Sequence, residues 1–189
     1  MANDYSNKTD EELVFLMKDG SATVSGNAFT ELYERYSSRV FAYIRRVVND
    51  QEQAEDLFQE TFYKFYQNVR ATPNNGTIIG YLITIARNLC LNYKRDKKAT
   101  LSIDDVNLNN YSKSNDYEET ELMELVTMSM DLLEIEYKEP LILRVYNGMN
   151  YNEIAEICNT SESNARSRVH RAKQKIKTIL MPYLKDLAK

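Results

Sequence analysis

Residues 150–177 read NYNEIAEICNTSESNARSRVHRAKQKIK, and the fold is decided there. Asn150 is a helix-capping residue, and Glu153 three positions on completes a capping-box-like pair. Ile154, Ala155 and Ile157 give that short helix its apolar side. Asn159-Thr160 makes a turn, and Ser161 is placed to cap a second helix running from Glu162 to about Leu180. A short helix, a tight turn and a longer basic helix form the helix-turn-helix pattern. At helical steps of about 100°, Ala165, Val169, Ala172, Ile176, Ile179 and Leu180 make one apolar stripe. Arg166, Lys173 and Lys177 line one flank of it, and Arg168, Arg171 and Lys175 the other. Ser167, His170 and Gln174 point away. Between Ala165 and Thr178 there is no acid. Cations on both flanks suit a helix lying in a DNA major groove between two phosphate walls. Glu162, Ser163, Asn164 and Ser167, with Arg166, are placed to meet base edges. A merely solvated basic face is the plainer alternative.

Working back from this stretch, Gly148 is placed to end a preceding helix, Leu141 to Tyr146, with Pro140 suited to its first turn. Leu122, Leu125, Val126, Ser129 and Leu133 repeat at helical spacing before it. Residues 101–119, LSIDDVNLNNYSKSNDYEE, have no such period and are polar and acidic; that composition does not bury enough to offset ordering and reads as a linker. Further back, Thr9-Asp10-Glu11-Glu12 is a capping box, followed by Leu13, Leu16 and Met17. Phe29, Leu32, Tyr33, Tyr36, Val40, Ile44, Val47 and Val48 continue one apolar stripe. Asn49-Asp50 breaks it. Ala54, Leu57, Phe58, Thr61, Phe62, Phe65, Tyr66 and Val69 form the next, and a turn at residues 71–76 precedes Ile78, Leu82, Ile85, Ala86 and Leu89. No comparable segment alternates with period two. The expectation is an all-α chain of two small helical domains, 8–98 and 120–187, joined by an acidic linker over 99–119, the second domain carrying the helix-turn-helix.

The chain has 189 residues, 43% of them apolar and 28% charged. Its formal net charge of −4 conceals an alternation: net −6 over residues 1–60, +6 over 61–100, −9 over 101–140 and +5 over 141–189. Two basic blocks about a strongly acidic one suggest two nucleic-acid contacts with a repelling spacer. No apolar run approaches the ~20 residues that span a bilayer, so no membrane insertion is expected. The N-terminus lacks a basic start with an apolar run, which leads to an expectation of a cytoplasmic protein. The cysteines, Cys90 and Cys158, read as small buried thiols. With His170 as its one histidine, the chain has no zinc-site spacing, and it has no phosphate-binding glycine motif or nucleophile elbow. No cofactor and no metal are expected, and no catalytic constellation is present.

In the first domain, Glu52, Asp56, Gln59, Glu60 and Tyr63 share the face opposite the apolar stripe. It is either ordinary solvated surface or an acidic docking face for a basic partner helix. Arg87, Asn88, Asn92, Lys94, Arg95, Lys97 and Lys98 lie on or just after the helix expected from about Ile78, with Tyr81 near its start. Cations beside aromatic and amide side chains suit single-stranded or partly melted nucleic acid; a cationic helix end complementing the dipole is the alternative.

Taken in order, these segments resemble bacterial RNA polymerase sigma factors of the extracytoplasmic-function (ECF) type, within the sigma-70 family. FTELYERYSSRVFAYIRRVV (29–48) is similar to the family's opening core helix, and QAEDLFQETFYKFYQN (53–68) to its polymerase-binding helix. GYLITIARNLCLNYKRDKK (80–98) is similar to the segment that recognises and melts the minus-ten element, and residues 151–177 to the minus-thirty-five helix-turn-helix. The resemblance implies a non-enzymatic subunit of the holoenzyme whose partners are core RNA polymerase and promoter DNA, double-stranded and melted, with an anti-sigma factor as a further partner. It implies polymerase docking by Asp56, Leu57, Phe58 and Gln59, beside Glu52, Glu60 and Tyr63 of the same helix. It implies minus-ten contacts by Tyr81, Arg87, Asn88, Asn92 and Arg95, within the basic block that also holds Lys94, Lys97 and Lys98. Upstream contacts fall to Arg166, Ser167, Arg168 and Arg171, among Glu162, Ser163, Asn164, Lys173 and Lys175. Tyr81 stands where the family usually has Trp, and Asn164-Ala165 where a Thr-Val pair is common. A stand-alone helix-turn-helix regulator, dimeric on a palindrome, is the competing reading.

Overall fold

The computed structural model describes residues 5–69, 76–100 and 121–187. Helices α1 (Asp10–Asp19), α2 (Ala22–Val48), α3 (Gln51–Gln67) and α4 (Ile78–Thr100) are followed by α5 (Glu121–Asp131), α6 (Ile135–Val145), α7 (Tyr151–Ile157) and α8 (Glu162–Leu187). Among the described residues there is no strand. The chain divides into two compact units, Met1–Val106 and Asn107–Lys189. Helix α4 carries two residues into the stretch read as linker; the rest of that stretch, 101–119, and the turn at 71–75 lie outside the described residues.

In the first unit the helix boundaries follow from side-chain chemistry. Thr9 and Glu12 form the reciprocal capping box, Thr9 N donating to Glu12 Oε2 at 2.8 Å and Glu12 N to Thr9 Oγ1 at 3.3 Å. The stripe from Leu13 to Val48 is not continuous: α1 ends at Gly20 and Ser21 caps α2. A Cβ at Gly20 would fall on the Leu16 carbonyl oxygen, which is backbone, and within 2.7 Å of Val24 Cγ1. Asn49 closes α2 in the left-handed region, at φ 56°, which Asn tolerates better than most residues. Asp50 then caps α3, its side chain accepting from Gln53 N at 3.2 Å. The core gathers Leu13, Leu32, Val40, Tyr43, Ile44, Phe65, Leu82 and Ile83, with Cys90. Each large apolar side chain so buried contributes about 1.5–3 kcal/mol. At the outer edge Arg35 bonds Glu31 at 2.7 Å and Asp10 at 3.0 Å and donates to the carbonyl of Ser6 at 3.0 Å, while the Tyr36 hydroxyl donates to Asp10. These contacts fasten α1 and the residues before it to α2.

In the second unit α6 starts at Ile135, well ahead of the expected start at Pro140-Leu141. Pro140 lies inside it rather than in its first turn, and the side chain of Glu134, before the helix, makes no capping bond. Proline has no N–H to return to the carbonyl four residues back. Pro140 is nevertheless buried, within the run Lys138 to Leu143, so packing secures the turn that the ladder leaves incomplete. Helix α8 also exceeds its expected end near Leu180, continuing through Pro182 to Leu187. Ile142, Leu143, Ile154, Ala165, Val169 and Ala172 make the core. Two polar contacts are buried with it: Lys138 Nζ lies 2.6 Å from Asp131 Oδ1, and the Cys158 thiol donates to Glu139 at 3.7 Å.

Candidate nucleic-acid interface

The helix-turn-helix forms as the capping residues direct. The Asn150 side chain accepts from Asn152 N at 2.9 Å and Glu153 N at 3.0 Å, and Asn150 N donates to Glu153 Oε2 at 2.8 Å. Asn159 turns the chain with φ 50°, and Ser161 Oγ accepts from Asn164 N at 3.2 Å. Ala165, Val169 and Ala172 face inward with almost no exposure; Ser163, Asn164, Arg166, His170, Arg171, Lys173 and Gln174 are exposed, and Ser167 and Arg168 half-exposed. Glu162, also exposed, pairs with Arg166 at 3.0 Å. Among the described residues, Arg168, Arg171 and Lys173 make no ion pair. Lys175 differs: its ammonium sits 4.2 Å from the Tyr137 ring centroid and 3.5 Å from Glu134, on the α6 side of the helix.

In the first unit, α3 and α4 together shape a shallow groove of about 190 Å³ lined by Lys64, Asn68, Tyr81, Ile85, Asn88, Leu89 and Asn92. Three expected residues, Tyr81, Asn88 and Asn92, thus share one wall; Tyr81 packs edge-on against Phe65 at 6.2 Å. Lys64 and Asn68 supply the opposite wall. They are not among the expected residues, because the periodic reading treats α3 as an acidic helix and does not pair it with α4. Farther along, Arg95 and Lys97 are exposed and Arg87 and Lys94 half-buried. Arg95 lies 3.4 Å from Asp96, and Lys97 lies over the Tyr93 ring at 5.6 Å. The side chain of Lys98 is outside the described residues.

The other face of α3 exposes Glu52, Asp56, Gln59, Glu60 and Tyr63, and with them Glu55, which the period of three and four also selects. Glu60 pairs with Lys64 at 3.0 Å, so one lysine borders both the acidic face and the groove. Leu57 is 8% exposed and belongs to the core. Phe58 is half-buried in an aromatic cluster, 5.1 Å from Phe62, 5.5 Å from Phe41 and 5.9 Å from Tyr33. Among the described residues no group of three or more His, Cys, Asp or Glu side chains is gathered to hold a metal, and no helix is long and apolar enough to cross a membrane.

Comparison with known proteins follows these surfaces. The family model for sigma-70 region 2 matches residues 32–100, which hold the acidic face and the groove, and that for sigma-70 region 4 matches residues 123–176, which hold the helix-turn-helix. The ECF RNA polymerase sigma factor SigM of Bacillus subtilis is 30% identical over 152 residues, covering 79% of this chain and 93% of that protein. RNA polymerase sigma factor YlaC of the same organism is 30% identical over 159 residues, covering 80% and 91%. Among solved structures, the sigma factor RpoE of Bartonella quintana, in complex with the anti-sigma factor NepR, superposes with a TM-score of 0.67 at 21% identity, over 81% of this chain and 96% of that one. CnrH, in complex with the cytosolic domain of CnrY, gives 0.69 at 18%, over 92% and 97%. These two share the fold of the present chain.

Proposed function

The chain belongs to the ECF sigma factors of the sigma-70 family, and from that membership we propose how its surfaces divide the work. As a member it is a transcription initiation factor and not an enzyme: it associates with core RNA polymerase and directs promoter-specific initiation. The acidic face of α3 docks on a basic helical element of the polymerase. The groove between α3 and α4 takes an unstacked base of the minus-ten element, with Tyr81 for stacking and Asn88, Asn92 and Asn68 for hydrogen bonds; Lys64, Arg95 and Lys97 hold the neighbouring phosphates. Helix α8 enters the major groove of the minus-thirty-five element, Ser163, Asn164, Arg166 and Ser167 toward base edges, Arg168, Arg171 and Lys173 toward phosphates. The protein works in the cytoplasm, where polymerase and chromosome are. An anti-sigma factor is a further partner, as NepR is for the similar RpoE.

The observation that carries this division is α8 itself. Its first turns offer small polar side chains to solvent, its flanks are cationic, and α7 is packed behind it. The test is affinity capture of core polymerase by the full chain, with transcription from a library of genomic fragments. Stable association and new, discrete start sites with shared upstream and downstream elements are expected. A folded chain that ignores core polymerase and binds a palindrome as a dimer overturns the proposal in favour of a stand-alone regulator.

A further inference from the structure

Arg166 differs from Arg168, Arg171 and Lys173 of the same helix in being held. Its side chain is 64% exposed, a setting in which a long side chain ordinarily samples several rotamers. Two contacts restrain it. One is the ion pair with Glu162 on the preceding turn, at 3.0 Å. The other is the ring of Tyr151, whose centroid lies 4.8 Å from the guanidinium carbon, within the range of a cation–π contact. Tyr151 opens α7 and is itself secured. Its backbone follows the Asn150 capping box, and Arg144 lies over the same ring at 5.0 Å. Arg144 is fixed in turn, NH1 donating to the carbonyl of Met149 at 2.7 Å. A chain of contacts therefore runs from the end of α6, through one ring, to the first turns of α8.

We propose that Tyr151 is a positioning residue for upstream-element recognition: its ring, clamped by Arg144, holds Arg166 in the orientation in which it meets a base edge. The inference rests on α8 being the reader of that element. Two arguments favour a base over a phosphate. A guanidinium already balanced by a carboxylate gains less from a phosphate than an unpaired one. It keeps its directional fork, because the Glu162 pair engages only part of its five N–H donors. That fork matches the paired acceptors of a guanine edge. Holding the side chain before DNA arrives also removes an ordering cost that would otherwise lower affinity roughly two- to tenfold.

The test uses holoenzymes assembled from core RNA polymerase and the full chain, as wild type, Tyr151→Leu, Tyr151→Phe, Arg166→Ala and the Tyr151→Leu/Arg166→Ala double variant. Initiation is measured on a promoter the wild type uses and on each single-base-pair variant of its upstream element. Arg166→Ala is expected to erase the preference at one or two base pairs. Tyr151→Leu is expected to weaken preference at those same pairs roughly two- to tenfold, with no added loss in the double variant. Tyr151→Phe should keep the wild-type profile, since the ring does the holding. Should Tyr151→Leu melt early by circular dichroism, Tyr151→Met takes its place. If the Tyr151 variant leaves those preferences intact, lowers all templates equally or adds to Arg166→Ala, the positioning role is overturned while the recognition reading stands. If Arg166→Ala changes no preference, both readings of Arg166 fall together.

Discussion

The Tyr36 phenol joins α2 to α1 by donating to Asp10. Burial raises its pKa, and hydrogen bonding to Asp10 and the negative charge there raise it further, well above the usual tyrosine range. The folded protein therefore keeps this proton longer than the unfolded chain, whose tyrosines ionise near pH ~10. The contribution to stability is whole below that pH and is lost as pH climbs from there toward the folded-state value. Tyr36 should ionise above the usual tyrosine range, together with loss of helicity. Phenolate absorbance and circular dichroism followed in one alkaline titration check this, and Tyr36→Phe should remove the coincidence. A second residue-scale prediction concerns Lys138, nearly excluded from solvent beside Asp131. Asp131→Ala leaves that ammonium buried without its carboxylate, which should cost on the order of 3 kcal/mol, read from denaturant melts of the full chain.

Single capping residues decide where the helices begin and end. Asn49, in the left-handed region, both ends α2 and aims the chain at Asp50. A β-branched residue is strained there, so Asn49→Val should destabilise by about 1–2 kcal/mol, whereas Asn49→Gly should be nearly neutral in the same thermal melts. Element boundaries were legible from sequence at Thr9 with Glu12, at the Asn49-Asp50 break, at Asn150 with Glu153 and at Ser161. They were not legible where tertiary packing does that work. The start of α6 has no capping side chain, and its proline is tolerated because neighbours enclose it, so a local rule placed the boundary at Pro140. The break at Gly20 was missed although Ser21 caps α2 there, its hydroxyl accepting from Val24 N, because hydrophobic periodicity runs on across it. The groove was half legible for the same reason. Tyr81, Asn88 and Asn92 follow from the period of α4, but Lys64 and Asn68 join them only because α3 packs alongside.

On the scale of the whole molecule, charge sorts the functions. Within the first unit, α3 turns carboxylates to solvent while α4 ends in cations, so one small helical body offers surfaces of opposite sign, which the proposed division assigns to two kinds of partner. Replacing both Asp56 and Glu60 by Lys reverses the first surface at exposed positions and leaves the core untouched. That variant should keep its helicity and lose association with core polymerase, measured by co-elution. Undiminished association by the folded variant would remove α3 as the docking helix. The order of the segments made this division legible, since acidic and basic blocks alternate along the chain. Leu57 and Phe58, adjacent to Asp56 in sequence, lie beneath the acidic face, one in the core and one half-buried in a cluster of rings.

Cys90 is wholly enclosed in the first unit, and Cys158, 7% exposed, closes α7 in the second. Each unit thus stores one thiol that a small alkylating reagent reaches only when that unit opens. Peptide-resolved mass spectrometry of a single reaction would separate two labelling rates, one per unit. The chain carries, without any engineered probe, a pair of internal clocks that report how often each half breathes, and whether binding a partner to one half slows the other.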